Sequence, residues 1–137
     1  MKQTMDTDSI LYGILFYSPV KEAISGGIYL GDDRPDDSTD EDIVVNSIDL
    51  TQDYLPQTGT SNVNIYVPDA NVKIGGKQQM QANRIRLKTL SEKTIDVLRS
   101  ANIAGLKLIP VSQAILAEPS IKQHYVNIRI DWNIQTI

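Results

Sequence analysis

Between Val126 and Ile134 every second residue is apolar. Val126, Ile128, Ile130, Trp132 and Ile134 alternate with Asn127, Arg129, Asp131 and Asn133. That period of two predicts a strand with one dry face and one wet face. The stretch holds the only tryptophan of the chain and is rich in β-branched residues. Slipping its pairing by one position would carry its whole apolar row into water, so its register should be tightly fixed. A half-wet strand points to an antiparallel or mixed sheet that is covered on one side.

Elsewhere the period changes. Ile10, Leu11, Ile14 and Leu15 share one face at helical spacing, with Asp8 as the expected cap. Gly13 is a cost inside that helix unless it admits a close neighbour. Ser18-Pro19 opens a short second helix bearing Val20, Ala23 and Ile24, and Gly26-Gly27 stops it. Residues 28–30, 43–50 and 62–67 predict strands. In the second, Val44, Ile48 and Leu50 are expected to share a face; in the third, Val63, Ile65 and Val67 point inward. A long helix is expected from about Gln79 to Asn102, with Met80, Leu87, Leu90, Thr94, Val97, Leu98 and Ala101 as its apolar stripe. Its length would be roughly 35 Å at ~1.5 Å per residue. Residues 106–111, continued by 114–117, predict the strand before the last, and Pro110 marks it as an edge or a bulge. Residues 51–61 and 69–78 read as connections. The order implies one α+β domain over residues 1–137. It has a mainly antiparallel or mixed sheet of about five strands, with the long helix and the N-terminal helix packed on one face.

Charge adds an asymmetry to this plan. The net charge is −4, yet residues 1–70 carry 3 basic and 13 acidic side chains, and residues 71–137 carry 10 basic and 4 acidic ones. Such a chain can meet copies of itself head to tail, or its halves can interleave within the fold. Residues 31–42 concentrate seven acids against one arginine and hold no large apolar residue, which predicts a solvated, mobile loop. There is no cysteine, so disulfides, thiolate metal sites and a cysteine nucleophile are excluded. Lys2, Asp6 and Asp8 ahead of a short apolar run do not make a signal peptide, and no apolar run is long enough to span a bilayer.

Candidate chemistry is sparse. Gly75-Gly76-Lys77 resembles a phosphate-binding loop, but that pattern needs glycine where Asn71 stands and Ser or Thr where Gln78 stands. The acids of 32–42 lack the turn glycine of a calcium loop. His124 is the only histidine, and no serine lies in a Gly-x-Ser-x-Gly elbow. The basic face around Arg84, Arg86, Lys88 and Lys93 has no interleaved aromatic residue, which argues against sequence-specific nucleic-acid binding. The residues predict no catalytic site, cofactor or metal. They point to a protein that binds and assembles.

Several stretches carry a family likeness. They are Asp8-Ser9-Ile10-Leu11-Tyr12-Gly13-Ile14-Leu15, Val20-Lys21-Glu22-Ala23-Ile24, Gly27-Ile28-Tyr29, Asp42-Ile43-Val44-Val45-Asn46, Asn64-Ile65-Tyr66-Val67, and the closing alternation from Tyr125 to Trp132. In their order along the chain, this sequence resembles the tail-terminator, or tail-completion, proteins of long-tailed phages and prophages. The resemblance implies a small α+β subunit of a hexameric ring that caps the tail tube and faces the head connector. It brings no catalytic residue. The implied partners are copies of the chain itself, the tail-tube protein and the head–tail connector, with no membrane. The implied location is the cytoplasm during assembly and then the tail or neck of the virion. The residues expected at interfaces are Asp32, Asp33, Asp36, Asp37, Asp40, Glu41 and Asp42 on the acidic side. On the basic side they are Lys73, Lys77, Arg84, Arg86, Lys88 and Arg129. The alternatives are another connector, neck or injection-device component, a hydrolase with an acidic site, or a small host binding domain.

Overall fold

The computed structural model describes all of residues 1–137 and shows an α+β fold. Helices α1 (Thr4–Phe16) and α2 (Pro19–Ala23) lead to strands β1 (Ile28–Leu30), β2 (Asp42–Leu50) and β3 (Gln57–Pro68). A hairpin of β4 (Ala70–Ile74) and β5 (Lys77–Gln81) precedes helix α3 (Arg84–Ser100). Strands β6 (Leu106–Glu118) and β7 (Gln123–Ile134) follow. The main sheet has the order β1-β2-β3-β7-β6. Only β1 and β2 are parallel; every other neighbouring pair is antiparallel.

Strand β7 lies between β3 and β6 along its whole length. Its five apolar residues are buried beside Val63, Ile65 and Val67 of β3, as the alternation predicts. Helices α1 and α3 cover this dry face, and the core is one cluster of 19 buried residues. Trp132 is buried but keeps a polar partner. Its indole N–H donates to Ser61 Oγ at 2.7 Å. Ser61 is linked to Ser47 at 2.7 Å and Ser47 to Thr7 at 2.6 Å, and Thr7 donates to the Thr4 carbonyl. With Ser61 donating to Ser47 and Ser47 to Thr7, each hydroxyl donates once and accepts once. The chain of bonds joins β7, β3, β2 and α1 through otherwise costly buried groups.

Several expectations are corrected. Helix α1 starts at Thr4, because the N–H of its cap residue Gln3 donates to Asp6 Oδ2 at 2.7 Å, so Asp8 lies inside the helix instead of capping it. Helix α3 has 17 residues, about 25 Å instead of 35 Å, and its cap is Asn83, whose side chain accepts from the Arg86 N–H. Residues 77–81 are extended, so Met80 belongs to the hairpin. Gly75 and Gly76 have φ of +57° and +82°, which suits a two-residue primed turn. In β2 the inward residues are Ile43, Val45 and Leu50. The register shifts between Ser47 and Asp49, which throws Ile48 out to 51% exposure. Strand β3 begins five residues earlier than expected. Strand β6 is a single strand that bulges between Pro110 and Ser112 and forms a sheet edge, as the proline suggests. No helix is long and apolar enough to cross a membrane.

Candidate interaction surfaces

The wet face of the sheet answers what the polar side of β7 meets. Asn127 donates to Asn64 and Asn62 of β3, at 2.7 and 3.1 Å. Arg129 is exposed, paired across the ladders with Asn62 and Ser112. Toward the start of β7 this face carries Tyr66 and Tyr125, stacked with ring centroids 4.8 Å apart. The acidic loop folds down onto these tyrosines.

Arg34 is the residue that holds the loop there. Its guanidinium carbon lies 4.1 Å from the Tyr66 ring centroid. Its Nε donates to Asp42 Oδ2 at 2.9 Å, and its Nη2 donates to Gln123 Oε1 at 2.7 Å. Gln123 in turn donates to the Ser38 carbonyl. Asp42 is fully buried and also accepts from the Gly27 N–H and the Ser38 hydroxyl. Its carboxylate needs the space above Gly26, where any Cβ would fall 1.8 Å from Asp42 Oδ1. Burial holds the Tyr66 hydroxyl above its usual pKa. Tyr125 and Glu118 push the same way and Arg34 opposes them.

The expected interface residues therefore divide. Asp42 is buried in an ion pair within the chain and faces no partner. Glu41 and Arg86 are also spent internally: Arg86 Nε lies 2.6 Å from Glu41, and the same guanidinium donates to the Ala23 carbonyl. The acidic and basic halves thus interleave at these points. Asp32, Asp33, Asp36, Asp37 and Asp40 remain exposed along the loop. Asp32 and Asp36 line a shallow cleft of about 340 Å³ with Arg34, Val44 and Tyr66. Lys73 and Lys77 are exposed on the hairpin, and Arg84 and Lys88 on the surface of α3. Lys88 lies 3.8 Å from Glu92. His124 Nδ1 sits 2.6 Å from Asp69 Oδ1 and ties the start of β7 to the end of β3. No three histidine or acidic side chains converge as a metal site requires.

Two surfaces are only partly foreshadowed by the sequence, through Lys73, Lys77 and Pro110. The β4–β5 hairpin projects from the body: residues 71–81 are all exposed, including Val72, Ile74 and Met80, and no other element packs extensively on the hairpin. The outer edge of β6 has no neighbouring strand, and Ile109, Val111, Ile115 and Leu116 are exposed along it. The hairpin had a signal, since Val72 and Ile74 alternate with polar residues ahead of Gly-Gly. Pro110 marks β6 as an edge or a bulge, but how far that edge stays open depends on strand order. Neither a protein-family model nor a curated protein sequence matches the chain.

Proposed function

We propose that this chain is a structural phage-tail protein that closes into a ring on the end of the tail tube and presents a surface to the head connector. The observation that carries this reading is that one subunit bears two different unpartnered surfaces, the projecting hairpin and the free β6 edge. A ring requires two distinct patches that complement each other, because a heterologous contact whose rotation closes around an axis generates a ring. The exposed carboxylates of the 32–40 loop add a charged surface for the tube or connector, beside the exposed Lys73, Lys77, Arg84 and Lys88. The resemblance in the order of short patterns supplies the phage setting and the six-membered ring. The reading assigns no catalytic residue and no cofactor.

A connector or neck component of a related tail-like device would use the same two surfaces with a different copy number. Negative-stain microscopy of the concentrated protein separates these readings. Closed six-membered rings of a single diameter are expected. Twelve-membered rings would favour the connector. A chain that stays monomeric when mixed with tail tubes and fails to mark their ends would remove both.

A further inference from the structure

Some surfaces of this molecule are incomplete on their own. A lone two-stranded hairpin is marginal in water and gains independent stability from a third strand or a covering element. Strands β4 and β5 have neither, yet they expose Val72, Ile74 and Met80. The complementary deficit is at β6. Its first half is guarded against stray pairing by Lys107, Pro110 and the bulge, devices that blunt a sheet edge. Its second half reads Ser112-Gln113-Ala114-Ile115-Leu116-Ala117-Glu118, with no lysine, no proline and no bulge. Ile115 and Leu116 point to opposite faces there and both are exposed.

We propose that the second half of β6 receives strand β4 of a second copy, so that the neighbour's hairpin extends the main sheet beyond its open edge. Length fits, since the five residues of β4 lie along the seven open residues of β6. Chemistry fits too. Val72 and Ile74 share one face of β4, and Asn71 and Lys73 share the other, so an amphipathic strand meets an edge with apolar side chains on both faces. Charge is complementary. The hairpin carries Lys73 and Lys77 and no acid, whereas the receiving end of β6 closes on Glu118 beside the tyrosines over which the acidic loop lies. Within one subunit the hairpin leaves the sheet after Pro68 of β3, and β7 separates β3 from β6. Its natural acceptor is therefore another copy. This contact specifies the interface of the ring reading and rests on it for the claim of closure, but the pairing itself requires only two copies.

The absence of cysteine makes a direct test available. Single-cysteine variants Val72→Cys, Ile115→Cys and, as an exposed control, Tyr54→Cys are mixed in pairs and oxidised. The Val72→Cys and Ile115→Cys pair should form a mixed disulfide roughly tenfold faster than any pair containing the control, because association raises the local thiol concentration. Lys73→Glu with Lys77→Glu in the hairpin copy should remove most of that advantage. Equal rates for all pairs would overturn the proposal. So would Ile115→Cys coupling fastest to itself, which would mean that two β6 edges pair symmetrically. Microscopy of the same samples keeps the two readings apart. Rings without the mixed disulfide would leave the ring and remove this contact, whereas the disulfide without rings would leave the contact and remove the ring.

Discussion

Single residues decide how this chain spends its buried polar groups. Trp132 is the largest side chain of the dry face, and its N–H begins the relay of hydroxyls that ends on α1. Trp132→Ala should cost about 3–5 kcal/mol in denaturant unfolding. Ser61→Ala keeps nearly all the apolar packing but orphans the indole N–H, so about 1–3 kcal/mol is expected. A neutral Ser61→Ala would show that the relay contributes nothing. Gly13 behaves oppositely. A Cβ built there meets nothing within 4 Å, so no close neighbour needs the glycine. Gly13→Ala should stabilise the protein by about 0.5–1 kcal/mol through helix propensity alone. The alternation that locates Trp132 in the core is legible in the sequence. The relay is not, because Thr7, Ser47 and Ser61 are far apart in the chain and share no spacing.

At the scale of elements, local signals locate most helices and strands and fail where tertiary geometry takes over. The serine-proline start of α2, the closing strand and the proline at the β6 bulge follow from chain chemistry. The bulge at Ile48 does not, since a run of apolar residues gives no sign of where a strand gains an extra residue. The acidic loop is the sharper lesson. Its composition reads as solvated, yet one arginine and one of its seven acids pin it to the sheet. Arg34 and Asp42 are nearly inaccessible, at 10% and 1% side-chain exposure. Removing one partner leaves the other buried and unpaired, so Arg34→Met should cost about 3–5 kcal/mol. A surface-like loss well under 1 kcal/mol would mean that the loop is held by something else. Tyr66, beneath Arg34, gives a pH signature. Its folded pKa is raised above the ordinary 10.0, mainly by burial. The folded state therefore holds this proton more tightly than the unfolded state. Stability from this group is complete below pH 10 and is lost as pH rises through the folded value. Alkaline unfolding monitored by circular dichroism should show that loss, and Tyr66→Phe should remove its share of the slope. An identical slope in the variant would place the alkaline sensitivity elsewhere.

For the whole molecule, we propose that this subunit is completed by copies of itself. The sequence suggested an acidic surface meeting a basic one, but the structure spends Glu41, Asp42 and Arg86 inside the chain. What remains open is a hairpin with nothing behind it and a sheet edge with nothing beside it. Pro110 and the alternation ahead of Gly75-Gly76 hint at an edge and a hairpin, but that both stay open depends on strand order, whereas the α+β plan and the covered face are legible in local pattern. When each hairpin reaches the edge of the next copy without a reciprocal return contact, two different open surfaces build a cyclic assembly instead of a symmetric dimer. Sedimentation velocity over a wide concentration range tests this most directly. A closed ring should give one discrete species of roughly six times the 15.2 kDa subunit mass, with no larger products as concentration rises. A species that stops at two subunits, or a chain that remains monomeric at the highest concentration attainable even with tail tubes present, would contradict it.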